Sequence, residues 1–300
     1  MARIDDLLAQ MTLPEKLGQL TMTASSYAVT GPVIVGDSSE SIANGTLGNL
    51  LNMVGPGPTH EMQRLAVEKS RLGIPLLIGL DVIHGHRTLF PIPLAEAACF
   101  DPQAWEATAR EAAREAAADG LAMTFAPMVD VSRDPSWGRT AEGAGEDPWL
   151  GSQIARAKVR GFQVKDLAAP DALAACVKHF AAYGPVNAGR EYAPVDISER
   201  TLHEVHLPPF EAAVAAGVAT LMPAFTDIAG VPMTAHRPLL GDYLRGELGF
   251  DGVIVSDYNA IAELIRHGVA ADLADAAALA LNAGVDIDMM SFAYQQGLPV

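Results

Sequence analysis

Cysteine is scarce in this chain: two residues in 300, Cys99 and Cys176, both inside apolar runs. They read as small hydrophobes, not as a disulfide framework, a usage that suits the cytosol and does not exclude the periplasm. Positive charge is scarce too, with 20 Lys and Arg against 36 Asp and Glu and a formal net charge of −16. A surface that acidic repels phosphate backbones and anionic headgroups, which argues against nucleic acid and against electrostatic membrane binding. Uninterrupted apolar runs of ~18 residues are absent, so no spanning helix is expected. The opening Met1-Ala2-Arg3-Ile4-Asp5-Asp6 lacks the apolar core of a signal peptide. The chain as it stands therefore reads as cytoplasmic, or as periplasmic if a leader has been removed. Repeats, low-complexity tracts and interdomain linkers are likewise missing. Half of the residues are hydrophobic and 19% are charged, ample for a large core.

What is present is an alternation of short apolar runs with helix-like stretches. Eight runs read as strands: Gly18 to Met22, Leu47 to Asn52, Pro75 to Val82, Ala122 to Val131, Ala174 to Ala182, Ala219 to Thr226, Gly252 to Asp257 and Gly284 to Met289. Their nearly continuous apolar character is that of strands covered on both faces. The clearest helix runs from Pro102 to about Ala118, with Asp101 as N-cap and Gly120 past its end. Another begins near Ser198, with Thr201 and Glu204 at capping-box spacing, and a short one covers Ile261 to His267. This pattern predicts a single-domain α/β fold, a (β/α)₈ barrel of the TIM type. A doubly wound open sheet is the alternative, but no G-x-G-x-x-G follows the first strands. About ten residues follow the eighth strand, so the last barrel helix is expected to be short or missing, with one domain spanning 1–300.

Barrel enzymes carry their chemistry at the C-terminal ends of strands. Those ends hold Asp81, Asp130, Lys178-His179, Asp257 and Asp288. Helix capping explains any one such residue equally well, but together they would converge on one mouth. Adjacent residues on a regular strand face opposite ways, so Lys178 and His179 share that mouth only if the strand bends or ends there. Otherwise Lys178 snorkels outward and His179 packs under a helix. Lys178 could also form a Schiff base, as in aldolase-type barrels. His84, His86, Lys178, His203, His206 and Asp257 mimic the ligand set of binuclear metal hydrolases. Their placement argues against it, because His203 and His206 fall inside a predicted helix and His84 and His86 follow the third strand. Asp257, on a buried strand and followed by Tyr258, suits a glycosidase nucleophile with an aromatic beside it to stack on a sugar.

Several motifs, in order, extend this reading: Met11 to Leu20, Gly79-Leu80-Asp81-Val82-Ile83-His84-Gly85, Arg133-Asp134-Pro135-Ser136-Trp137-Gly138-Arg139, Gly145-Glu146-Asp147-Pro148, Lys178-His179-Phe180, Ser198-Glu199-Arg200-Thr201-Leu202 and Ser256-Asp257-Tyr258. Through them nearly the whole chain resembles the N-terminal catalytic barrel of glycoside hydrolase family 3, as found in bacterial β-glucosidases. The resemblance implies a retaining, exo-acting glycosidase that releases a terminal β-D-glucosyl residue. Asp257 would be the nucleophile and form a covalent glycosyl-aspartate. Asp81 would grip hydroxyls at the non-reducing end, and Lys178, His179 and Arg139 would donate hydrogen bonds to others. Met222 and Phe225 would line the pocket, the latter where some members have Tyr. Tyr258 stands where many members have Trp. A structural ion pair of Arg139 with Glu142 or Glu146 is compatible with its binding role.

The implied substrate is a β-linked glucoside or oligosaccharide, and neither a metal nor an organic cofactor is implied. The loop from Ala181 to Tyr192 lacks the Asp-x-His signature of the family's hexosaminidases, which lowers the N-acetylglucosaminidase reading. In two-domain members the general acid/base is a Glu on the second domain, and this chain is expected to lack that domain. Glu191 and Asp288 are the residues within 1–300 that could substitute. A barrel that binds sugar with little turnover, and a β-xylosidase, are the alternatives.

Overall fold

The computed structural model describes residues 2–24 and 38–299. Eight parallel strands follow one another around a ring: β1 (Thr21–Ala24), β2 (Asn49–Leu51), β3 (Leu77–Leu80), β4 (Met123–Thr124), β5 (Ala174–Phe180), β6 (Thr220–Pro223), β7 (Val253–Ile254) and β8 (Asp288–Met289). β8 returns to β1 through the register Thr21↔Asp288, and Val255↔Ile287 bridges β7 to β8. Every apolar run read as a strand contributes one, and the sheet is the (β/α)₈ barrel expected of them.

The strands read as continuous apolar runs because both faces are covered. Leu50, Val177, Leu221 and Ile254 point outward into the main core, against Ala109, Ala113, Phe162 and Phe210 of the surrounding helices. The alternate residues Leu51, Cys176, Met222 and Val255 point inward, where with Met22, Met123, Phe125 and Met289 they fill the lumen. The period of two then dictates which later residues reach the mouth. Asp81 follows Gly79, Lys178 follows Cys176, and Asp257 follows Val255 on the inward face. Gly79 has a packing reason: a Cβ there would lie 2.8 Å from the Phe125 ring.

The predicted helix spans Pro102–Ala118, and the Asp101 carboxylate accepts from the N–H groups of Gln103 and Ala104. Its alanine face, Ala109, Ala112, Ala113 and Ala116, is buried. The helix near Ser198 differs from expectation. Ser198 alone caps it, accepting from Thr201 N at 3.1 Å, while Glu204 pairs with Arg200 on the surface. The turn from Leu202 to His206 is widened into a π-helix. A complete capping box occurs elsewhere, between Thr12 and Glu15, where Arg71 also holds the glutamate. After β8 comes the short helix Ala293–Gly297, its Tyr294 hydroxyl buried and donating to Val285 O at 2.6 Å. Among the described residues, no helix is long and apolar enough to cross a membrane.

Candidate active site

A cavity of ≈ 320 Å³ opens at the C-terminal ends of the strands. Asp81, Arg139, Lys178, His179, Met222, Asp257 and Tyr258 all line it. These are seven of the eight residues to which the family resemblance gave a nucleophilic or sugar-contacting role. The eighth, Phe225, does not line the cavity; its ring packs on Tyr192 at 4.7 Å and on Tyr183 at 6.2 Å. Asn52, Phe125, Glu142 and Met289 complete much of the wall. Asn52 had a signal, a polar residue directly after the apolar Leu50-Leu51. Glu142 had one only as a possible partner of Arg139.

Lys178 and His179 share the mouth because β5 slips against β6. Lys178 is opposite Met222, yet Phe180 is opposite Pro223, so the β5 side carries one residue too many. Such a bulge re-aims one side chain, and here it turns His179 inward. The loop before Asp130 runs beside this bulge, with Val129 N donating to Lys178 O and Lys178 N to Pro127 O. Asp81 is steadied from the other side. Val82 N donates to Thr124 Oγ1, and the loop beyond is pinned to Glu115 by the N–H groups of Arg87 and Thr88.

The cavity wall alternates charges. Lys178 Nζ lies 2.5 Å from Asp81 Oδ1; the lysine is buried, while the aspartate side chain is 48% exposed. Burial works to lower the Lys178 pKa, but the charge of Asp81, its hydrogen bond and Asp257 outweigh it and hold the ammonium protonated. That opposes the Schiff-base reading, which needs a free amine. Arg139 donates through Nε and Nη2 to both oxygens of Glu142, at 2.7 and 2.9 Å, and Nη2 also reaches His179 Nε2 at 3.1 Å.

Asp257 Oδ1 accepts from Tyr258 N at 2.7 Å. Its Oδ2 is buried with no hydrogen-bond partner among the described residues, and sits 3.6 Å from His179 Nε2. Burial pushes this carboxyl up to about 6, against the pull of Lys178, the Tyr258 N–H and Arg139. An unsolvated carboxylate oxygen facing a cavity, with two cations nearby to favour its ionised form, meets the physical requirements of a nucleophile.

The other strand-end carboxylates do different work. Asp130 lies behind His179, fully buried, and takes three N–H donors. Asp288 is a cap: it accepts from Ser291 Oγ at 2.5 Å and from Ser291 N and Tyr294 N. Glu191 is also engaged, by the Trp137 indole N–H on one oxygen and the Tyr183 hydroxyl on the other. His84, His86, His203 and His206 do not line the cavity. His84 meets Phe90 O, and His86 lies 2.6 Å from Asp119, so the binuclear-metal constellation is not assembled.

Residues 12–298 match the family model described as the glycosyl hydrolase family 3 N terminal domain. The chain belongs to glycosyl hydrolase family 3. It is 45% identical over 299 residues to a periplasmic beta-glucosidase of Salmonella typhimurium, covering 99% of this chain and 38% of that protein. A beta-xylosidase of Formosa agariphila is 39% identical over 244 residues, covering 77% of this chain and 34% of that one. The crystal structure of a beta-glucosidase from Listeria innocua in complex with isofagomine superposes with a TM-score of 0.94 at 40% identity, over 100% of this chain and 42% of that one. A mutant of the Listeria enzyme, in complex with laminaribiose, superposes with a TM-score of 0.93 at 39% identity. This chain thus spans about two-fifths of the length of the relatives it matches.

Proposed function

We propose that the cavity is the sugar-binding subsite of a retaining, exo-acting β-glucosidase, with Asp257 as its nucleophile. The observation that carries this is the buried Asp257 Oδ2, without a hydrogen-bond partner among the described residues, in a cavity whose charged groups Asp81 and Lys178, and Arg139 and Glu142, are paired with one another. Asp257 Oδ2 attacks the anomeric carbon, and a C–O bond forms as the glycosidic C–O bond breaks. The electron pair leaves on the aglycone oxygen, which needs a proton. Water then cleaves the glycosyl-aspartate and restores the carboxylate. Arg139 and Lys178 keep Asp257 ionised for the attack and are placed to hydrogen-bond ring hydroxyls. Tyr258 offers an aromatic face to the sugar. The names of the Salmonella and Listeria relatives support a glucoside over a xyloside, and the Formosa relative keeps xylose as the second reading. We further propose that residues 1–300 form the nucleophile-bearing barrel and that a second domain carries the acid/base, since Glu191 and Asp288 are both engaged elsewhere.

A 2-deoxy-2-fluoro β-glucoside with a good leaving group tests the nucleophile. The fluorine slows breakdown of the intermediate, so the label is expected on the peptide containing Ser256-Asp257-Tyr258. A label on any other carboxylate overturns the assignment.

Asp81 gives a second expected result. Its half-exposed carboxylate faces the cavity and would accept from sugar hydroxyls. Asp81→Ala should lower kcat/KM by roughly 10- to 150-fold, corresponding to about 1.5–3 kcal/mol for a lost charged hydrogen bond. The variant also strands the buried Lys178 ammonium, although Asp257 still offsets part of that charge. A modest fall in Tm is therefore expected alongside. A large fall in Tm with kcat/KM unchanged would make Asp81 a structural residue only.

A further inference from the structure

Behind the cavity wall, Asp130 collects three donors while its own side chain is fully buried. His179 Nδ1 and His179 N both lie 2.9 Å from its Oδ2, and Tyr183 N lies 3.3 Å from its Oδ1. On the opposite edge of the imidazole, Arg139 Nη2 is 3.1 Å from Nε2. A guanidinium N–H can only donate. Nε2 must then accept, and in a neutral imidazole the single proton belongs on Nδ1.

We propose that Asp130 is a positioning residue that fixes His179 as the neutral Nδ1–H tautomer, so that Nε2 faces the cavity as a hydrogen-bond acceptor. Arg139 fills that acceptor as the chain stands. With sugar in the cavity, the same lone pair takes a hydrogen bond from a substrate hydroxyl, and Arg139 turns to donate to that hydroxyl. This reverses the role implied by the family resemblance, in which His179 donates.

An imidazolium would set its Nε2–H against Arg139 at 3.1 Å, donor against donor. The surroundings agree: burial, then the charges of Arg139 and Lys178, hold the His179 pKa well below the usual histidine value. The negative groups facing the ring are Asp130 at Nδ1 and Asp257, 3.6 Å from Nε2. Neither displaces the Arg139 contact. The ring is further fixed by Tyr183, which meets it edge to face at 5.3 Å. Its neighbours leave it little freedom to flip, and a flip would place the carbon edge toward Asp130 and forfeit that bond.

The tautomer stands on this geometry alone, whereas the hydroxyl-accepting role rests on the glycosidase reading. The test is therefore read without turnover, so the two can fail separately. The chain is labelled with ¹⁵N-histidine, and the His179 ring is identified as the one missing from His179→Gln. The expected spectrum shows a protonated Nδ1 and an unprotonated Nε2, with no conversion to imidazolium between about pH 5 and 8, where an ordinary histidine titrates; burial pushes the Asp257 and Asp130 carboxyls up into that range, to about 6 and about 7, so their ionisation moves the ring signals without adding a proton to Nε2. Asp130→Leu, which leaves no acceptor at Nδ1, is expected to abolish the exclusive Nδ1–H signature while the other histidines keep their positions. A protonated Nε2 in the parent chain, as the other tautomer or as imidazolium, overturns the proposal. So does an Asp130→Leu variant that folds with the His179 signature unchanged. Should that variant not fold, exchange in the parent decides. A Nδ1 proton held on a buried carboxylate exchanges slowly, and one that exchanges as fast as an exposed imidazole refutes the arrangement.

Discussion

Asp257→Asn is expected to abolish glycoside hydrolysis and at the same time to stabilise the barrel. The loss should reach about 10⁴- to 10⁶-fold in kcat, the order seen when the nucleophile of a covalent mechanism is removed. The gain follows from burial. The folded carboxyl is raised to about 6 from an ordinary value of 3.8, so between those values the folded chain holds a proton that the unfolded chain has released. Stability then falls as pH rises through that window, and the cost is fully present above about pH 6. A neutral amide of the same shape avoids this cost and still accepts from Tyr258 N. The shift of about two pH units corresponds to a gain on the order of 1–3 kcal/mol at pH 7, vanishing below about pH 4. Melts of parent and variant across that range check it. Activity of the parent has the opposite dependence, because the attack needs the ionised form and should fade as pH falls through about 6. A variant that melts below the parent at pH 7 would mean that Arg139 and Lys178 depend on the charge of Asp257 more than burial opposes it.

The surroundings of Asp257 on which that expectation rests were legible in the sequence only in outline. All eight strands were, because a strand covered on both faces needs apolar residues in succession, and the inward positions follow from counting by two. Asp81, Lys178 and Asp257 each lie two residues past an inward position, so the structure has them on the cavity wall. His179 was not determined by that count, since its turn into the mouth comes from a slip between β5 and β6, a long-range event that leaves no local mark. Asp130 and Asp288 look alike in sequence, each an aspartate after an apolar run. One became the partner of His179 and the other a helix cap, and only the loop that each enters distinguishes them. Thr12-x-x-Glu15 and Thr201-x-x-Glu204 carry the same pattern as well. Only the first forms a capping box; Glu204 pairs instead with the exposed Arg200. Glu191 reads as a spare acid until the fold brings up Trp137, 54 residues away.

The engagement of Glu191 leads to the second large effect, a split between substrates. Trp137 and Tyr183 occupy both Glu191 oxygens, and Asp288 is buried under Ser291 and Tyr294. The remaining carboxylates of the cavity wall, Asp81 and Glu142, are ion-paired with Lys178 and Arg139. Among the described residues that line the cavity, no carboxyl without a partner of its own is left to protonate the oxygen that departs from Asp257's attack. General acid catalysis typically contributes ~10²–10⁴-fold, but only where the leaving group needs a proton. Nitrophenolate leaves without one, whereas the glucose of cellobiose does not. Residues 1–300 should therefore cleave nitrophenyl β-glucosides well ahead of cellobiose, by about that factor relative to a β-glucosidase with its acid in place. The second step lacks its base for the same reason, so azide or formate should accelerate release of the glycosyl group, being anionic nucleophiles that need no proton removed. A cooperative melt first establishes that the barrel is folded. Efficient cellobiose hydrolysis with a bell-shaped pH profile would show that an acid/base does act within these residues. Glu191→Gln would then be the first variant to make, because freeing that carboxylate takes only a reorientation of the loop that carries it.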